Sequence, residues 1–196
     1  KKNDVYGTGI YYKLGASIDL SGYQWTPICA REKMTSTDWT YFDGNFDGAG
    51  YTIIMNISTT NSGYGLFQGI SGKSVVKNLT LAGSIKAAHR AGAIAYISAA
   101  RSKIDNVHNY AKITVTSAAK DYYTGGILGS NSGVITNTYN YAEVVGGNYT
   151  GGIAGTNSKG TITNSANFAN VSGYKYTGGI AGMNTGATIS NCKNFG

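Results

Sequence analysis

Three near-identical phrases dominate the chain: Thr124-Gly-Gly-Ile-Leu-Gly, Thr150-Gly-Gly-Ile-Ala-Gly and Thr177-Gly-Gly-Ile-Ala-Gly, at spacings of 26 and 27 residues. Each is followed by an Asn (Asn131, Asn157, Asn184) and then by Ile-x-Asn-x-x-Asn-aromatic. The second phrase reads Ile135-Thr-Asn137-Thr-Tyr-Asn140-Tyr141, Ile162-Thr-Asn164-Ser-Ala-Asn167-Phe168 and Ile189-Ser-Asn191-Cys-Lys-Asn194-Phe195. A period in the twenties is the signature of stacked repeats, each unable to bury its apolar face alone. The fold class this predicts is all-β: a solenoid of about five stacked coils, in parallel register, with a non-repeating N-terminal capping region.

Two degenerate coils precede the regular three. Gly65-Leu66-Phe67-Gln68-Gly69 fills the Gly-Gly-Ile slot, and Val76-Lys-Asn78-Leu-Thr-Leu81 follows, with Leu81 where later coils carry Asn. The next has Ala91-Gly92-Ala-Ile94, then Ile104-Asp-Asn106-Val-His-Asn109-Tyr110, and an insertion around Ser117–Asp121. Coils therefore start near 63, 91, 124, 150 and 177. Residues 63–196 form the repeats and residues 1–62 the cap and first strands, within one structural domain. In that N-terminal part, Ile10–Leu14 and Ser17–Leu20 read as short strands around Gly15, and Trp25-Thr-Pro-Ile28 as an anchored turn. The last coil stops at Phe195-Gly196, before the strand that holds Val144 and Val171 in earlier coils, so the natural polypeptide is expected to continue. No leader with an apolar core opens the chain, and no apolar run approaches the roughly 18 residues of a membrane span.

Strand parity sets the expected ladders. Ile135 and Asn137 share parity, as do Ile162/Asn164 and Ile189/Asn191. The row Asn78, Asn106, Asn137, Asn164, Asn191 is thus expected to face inward at a bend, each amide bonded to the next coil or to the turn backbone. Asn suits a corner because it tolerates the left-handed conformation. The third residue of each Gly-Gly-Ile slot (Phe67, Ile94, Ile127, Ile153, Ile180) is expected to form the neighbouring apolar row. These rows are read as structural, not as ligand or metal sites, since buried amides must be bonded to something.

The order Leu20-Ser-Gly-Tyr-Gln-Trp25-Thr-Pro-Ile28, Phe42-x-Gly-x-Phe-Asp47-Gly-x-Gly50-Tyr-Thr-Ile53, Gly65-Leu-Phe, Asn78-Leu and then Gly-Gly-Ile-Ala-Gly coils resembles the GLUG-motif right-handed β-helix modules. Those modules occur in large bacterial surface proteins, adhesin-like proteins of gut bacteria among them, and in the non-catalytic part of some immunoglobulin A peptidases. The resemblance implies a parallel β-helix displayed outside a bacterial cell, on its surface or secreted, without a uniform activity.

Catalysis has little to stand on. Hydrolysis of a glycoside takes two carboxyls about 5–9.5 Å apart, yet from Tyr122 onward Glu143 is the only acid. The one acid cluster is Asp38, Asp43 and Asp47; the last two precede Gly in turns that want a short acceptor, and their spacing is not that of a calcium loop. His89 and His108 have no companions at triad or zinc spacing and are expected to be solvated. Cys29 and Cys192 are expected to remain unbridged. No catalytic residue, metal or cofactor is assigned. The net charge of +7 favours an anionic neighbour, but Arg31, Arg90 and Arg101 are dispersed, so nucleic acid is not expected.

The aromatic rows remain. Tyr123, Tyr149 and Tyr176 each precede the Thr of Thr-Gly-Gly-Ile, with Tyr122 and Tyr174 nearby and Lys120 and Lys175 flanking. Such a face can stack on sugars or dock a protein; it can equally be a corner ladder of Tyr packing on Tyr, which is the simpler reading. In the row Tyr110, Tyr141, Phe168, Phe195 the hydroxyl is dispensable, which points to packing. The expected function is a non-enzymatic adhesin-like stalk or binding surface for host glycan or protein. The alternatives are an accessory domain of a secreted immunoglobulin-cleaving peptidase and a polysaccharide-cleaving β-helix enzyme.

Overall fold

The computed structural model describes residues 5–30, 41–60, 63–117 and 122–196. Among them every regular element is a β-strand, and every strand pairing is parallel. The chain winds as a right-handed parallel β-helix, one coil per repeat. One sheet stacks seven strands in the order Val5–Tyr6, Tyr41–Phe42, Phe67–Ile70, Ala95–Ser98, Leu128–Asn131, Ala154–Ser158 and Ala181–Thr185. A second, of fourteen strands, runs from Tyr11–Lys13 through Asn45–Asp47, Val75–Ala87 and Lys103–Val115 to Thr188–Ser190. The third is short: Tyr123–Gly125, Tyr149–Gly151 and Tyr176–Gly178. The N-terminal stretch, though its sequence does not repeat, supplies parallel strands to the same two large sheets, and Trp25 anchors its turn by donating Nε1–H to the Gly65 carbonyl at 3.4 Å.

In-register stacking lines up like side chains inside the coil. Phe46, Val76, Ile104, Ile135, Ile162 and Ile189 form one inward row, in which Val76, Ile104, Ile135 and Ile162 are all but inaccessible. Burying each such side chain contributes roughly 1.5–3 kcal/mol. The neighbouring row corrects one expectation. Phe67 pairs with Ala95, not with Ile94, and Leu66 takes the slot of Ile94, Ile127, Ile153 and Ile180. Between the Tyr64–Ala91 bridge and the Phe67–Ala95 pair the offset grows by one residue, because the earlier coil is shorter there.

The Asn rows correct another. Asn78, Asn106, Asn137, Asn164 and Asn191 all have φ between 50° and 53°, the left-handed corner their chemistry allows. They do not face inward, however: Asn106, Asn137, Asn164 and Asn191 are exposed and Asn78 is half-buried. A left-handed residue breaks the strand alternation, so the side chain after it (Thr138, Ser165) turns in. Each of these hydroxyls donates to the carbonyl two residues back, Thr138 to Thr136 at 2.8 Å and Ser165 to Thr163 at 2.9 Å. Cys192 stands in the same place and directs its Sγ–H at the Ser190 carbonyl at 3.2 Å. Both cysteines are thiols, and no disulfide joins them.

The buried asparagine ladders lie elsewhere in the same motifs. Asn109 donates to Asn140 (2.8 Å), Asn140 to Asn167 (2.7 Å) and Asn167 to Asn194 (2.8 Å). The second amide hydrogen of each goes to its own backbone two residues on, at the carbonyls of Ala111, Ala142, Ala169 and Gly196. A second ladder runs Ser98, Asn131, Asn157, Asn184 with links of 2.8–2.9 Å. The second glycine of each phrase leaves room for the first ladder, and the others for the close approach of neighbouring backbone. A Cβ on Gly126 would sit 2.6 Å from the amide carbon of Asn140, and one on Gly152 2.4 Å from that of Asn167.

Candidate binding surface

The outward side chains of the second sheet form columns one coil apart. Nearest the first corner, Lys13, Asp47, Lys77 and Asp105 follow one another in register, alternating in sign. At strand spacings of about 4.8 Å a column of like charges would repel, so the alternation stabilises the stack. Lys77 lies 3.5 Å from Asp47, and Lys103 2.9 Å from Asp105. Asp47 also accepts from the Ala49 backbone N–H at 2.9 Å and from Asn78 at 3.1 Å; the Ala49 bond in particular holds its carboxyl below the usual range. Burial pushes the Asp105 carboxyl up, but hydrogen bonds from Lys103 and Asn137 outweigh it and the net shift is downward.

The remaining described acids are likewise engaged. Asp43, buried, accepts from Thr8 Oγ1 at 2.7 Å and from the Ser71 hydroxyl. Glu143 meets Lys112 at 2.6 Å, and Asp19 accepts from the Ser21 N–H at 2.8 Å. Asp43 and Asp47 line separate depressions, the first beside Lys73 and Arg101, the second beside Tyr11 and Lys77. Asp38 lies outside the described residues. The histidines, expected to be solvated, are half-buried: His89 packs on Tyr122 with ring centroids 4.4 Å apart and His108 on Tyr139 at 5.1 Å. Burial lowers the His108 pKa, favouring the neutral ring.

The tyrosine row is brought together as the spacing implies. Tyr123, Tyr149 and Tyr176 pair in register on the third sheet, with ring centroids 5.4 and 5.0 Å apart. Tyr149 and Tyr176 lie nearly parallel, at 13°. Their facing surfaces are therefore taken by each other, which favours self-packing over sugar stacking. Tyr122 and Tyr123 also wall in Arg90, whose guanidinium sits 5.9 and 5.8 Å from their ring centres and 5.4 Å from that of Tyr96. Burial pushes the Tyr96 hydroxyl up to about 12. Tyr174 is widely exposed, and Lys175 Nζ stands 5.2 Å above the Tyr176 ring. Lys120 and most of the insertion, residues 118–121, lie outside the described residues.

The largest aromatic feature is the row assigned to packing. Tyr110, Tyr141, Phe168 and Phe195 stack at 4.6, 4.9 and 4.9 Å with planes within 9° of parallel. Tyr110 and Phe168 are 52% and 43% exposed, so this ladder is also a ridge on the outside of the solenoid. Beside it runs the column His108, Tyr139, Ala166, Lys193. Nothing in the spacing of Tyr139 marks it, because its column changes residue type at every coil.

No protein-family model, curated protein or solved structure matches the chain. Among the described residues, no three His, Cys, Asp or Glu side chains gather where they could hold a metal ion, and no helix is long and apolar enough to cross a membrane.

Proposed function

We propose that this chain is a non-enzymatic, adhesin-like β-helix module of a bacterial extracellular protein, a rigid stalk whose outer face binds host glycan or protein. The observation that carries the reading is the Tyr110–Tyr141–Phe168–Phe195 ridge. Exposed contiguous aromatic surface marks interaction sites, and here it runs beside the His108–Tyr139–Ala166–Lys193 column on a scaffold held by two amide ladders. Engagement of the described acids in hydrogen bonds and ion pairs supports a binding role over a catalytic one.

The test is binding of the purified chain to immobilised host-cell glycans and extracellular proteins, compared with Tyr141→Ser/Phe168→Ser. Binding that falls at least tenfold in the double variant, with the fold intact, is the expected result. Binding unchanged in that variant removes the ridge from the account. Release of oligosaccharides from a polysaccharide, lost on Asp43→Ala or Asp47→Ala in a folded protein, overturns the non-enzymatic reading.

A further inference from the structure

Along the ridge each ring face is covered by the next ring, so inner rings offer only their edges. The neighbouring column breaks this pattern at one point. His108 covers one side of Tyr139, and one coil on the column drops to Ala166 before rising again at Lys193. The drop opens a surface notch of about 360 Å³. Tyr139 forms one end and Lys193 the other; Asn164 and Asn191 line one flank, and Phe168 the opposite flank. The two asparagines hold left-handed backbone corners (φ 51° and 52°) and are exposed, so their amides stand at the rim.

We infer that this notch is a subsite for one acidic sugar residue, a uronate or sulfated sugar, within a longer host saccharide. The inference rests on the reading that this outer face binds. The Tyr139 ring in the wall of the notch suits the C–H face of a pyranose, and carboxamides that donate and accept suit its hydroxyls. The notch is of the size of a small-ligand site, near the lower limit of about 300 Å³. Charge decides the sugar class. From Tyr122 onward the chain holds one acid, Glu143, and Lys112 engages it at 2.6 Å. The Lys193 ammonium stands at the end of the notch in a stretch that is otherwise basic or neutral, which complements a carboxylate or sulfate.

The experiment is calorimetric titration of the chain with three hexasaccharides: a heparin-derived sulfated hexamer, an unsulfated hexuronate and a neutral hexaglucan. At least one acidic hexamer is expected to bind, at least tenfold tighter than the neutral one. Lys193→Gln, on an exposed side chain, should remove most of that preference. Lys86→Gln removes one charge elsewhere on the same sheet and should change affinity less than twofold. Ala166→Tyr fills the notch with the residue its column already carries one coil earlier, and should abolish binding; Tyr139→Ser gives a second, cavity-opening test of the same contact. Equal binding of the neutral hexamer, equal losses in Lys193→Gln and Lys86→Gln, or wild-type affinity in Ala166→Tyr and Tyr139→Ser would each overturn the inference. If the hexamers are inert while a host protein or neutral glycan binds through Phe168, the acidic subsite falls and the binding face stands. If no host ligand of any kind binds the face, both fall.

Discussion

Asn140 commits both of its amide hydrogens, one to Asn167 Oδ1 a coil away at 2.7 Å and the other to its own coil's Ala142 carbonyl at 2.8 Å. Its Oδ1 accepts from Asn109 at 2.8 Å, so the side chain is fully bonded at zero exposure. This one residue ties three coils together.

Asn140→Ala strands a donor of Asn109 and an acceptor of Asn167. Each stranded buried group costs about 1–3 kcal/mol. Urea unfolding should show a loss in that range or above it. The outward asparagine behaves differently. Asn137→Gly keeps the left-handed corner but loses the exposed hydrogen bond to Asp105 and should cost about 0.5–1.5 kcal/mol, while Asn137→Ala should cost about 1–2 kcal/mol more through the backbone.

Gly152→Ala tests why the two motifs occur together. The added methyl would meet the Gly179 carbonyl at 2.2 Å and the Asn167 amide carbon at 2.4 Å. Overpacking of this kind costs about 1–3 kcal/mol, and a shift in the thermal midpoint would report it. Gly50, with nothing within 4 Å but a φ of 83°, should lose stability to Ala through backbone strain only.

The acid limb of stability should carry the mark of the charged column. Asp47 and Asp105 both have carboxyls held below their ordinary value in the folded chain. For a depressed carboxylate the stabilisation is fully present above the unfolded value near 3.8 and is lost as pH falls through the lower folded value. Asp47→Asn keeps an acceptor for the Ala49 N–H and removes only the charge. Its stability deficit against wild type should be visible at pH 7 and shrink as pH falls below the ordinary carboxyl value of 3.8, followed by denaturant midpoints down the acid limb; a deficit independent of pH would contradict this origin.

Repetition made the fold legible, because in a parallel stack the repeat length is the coil and like residues must align. Parity reasoning failed at Asn137 and its equivalents for a definite reason: a left-handed residue reverses the side on which the next side chain falls. The inward ladder therefore belongs to Asn140 and Asn167, three positions further on. Phe67 was misplaced by a one-residue difference in coil length, which degenerate glycines at Gly63 and Gly65 do not reveal. The aromatic rows were legible as rows, but whether ring faces are free or taken depends on tilt angles, as the 13° between Tyr149 and Tyr176 shows. The notch at Ala166 is an interruption of a column, and periodicity is blind to interruptions.

The second-sheet column Thr136, Thr163, Ser190 gives the most direct test of coils lying in register. With Cys29 and Cys192 changed to Ser, nitroxide labels at these three positions should sit about 4.8 Å apart along the stack. Spin exchange should then collapse the electron paramagnetic resonance spectrum toward a single narrowed line. A spectrum of three resolved lines, equal to that of each single-label variant, would contradict the parallel in-register solenoid on which the binding surface depends.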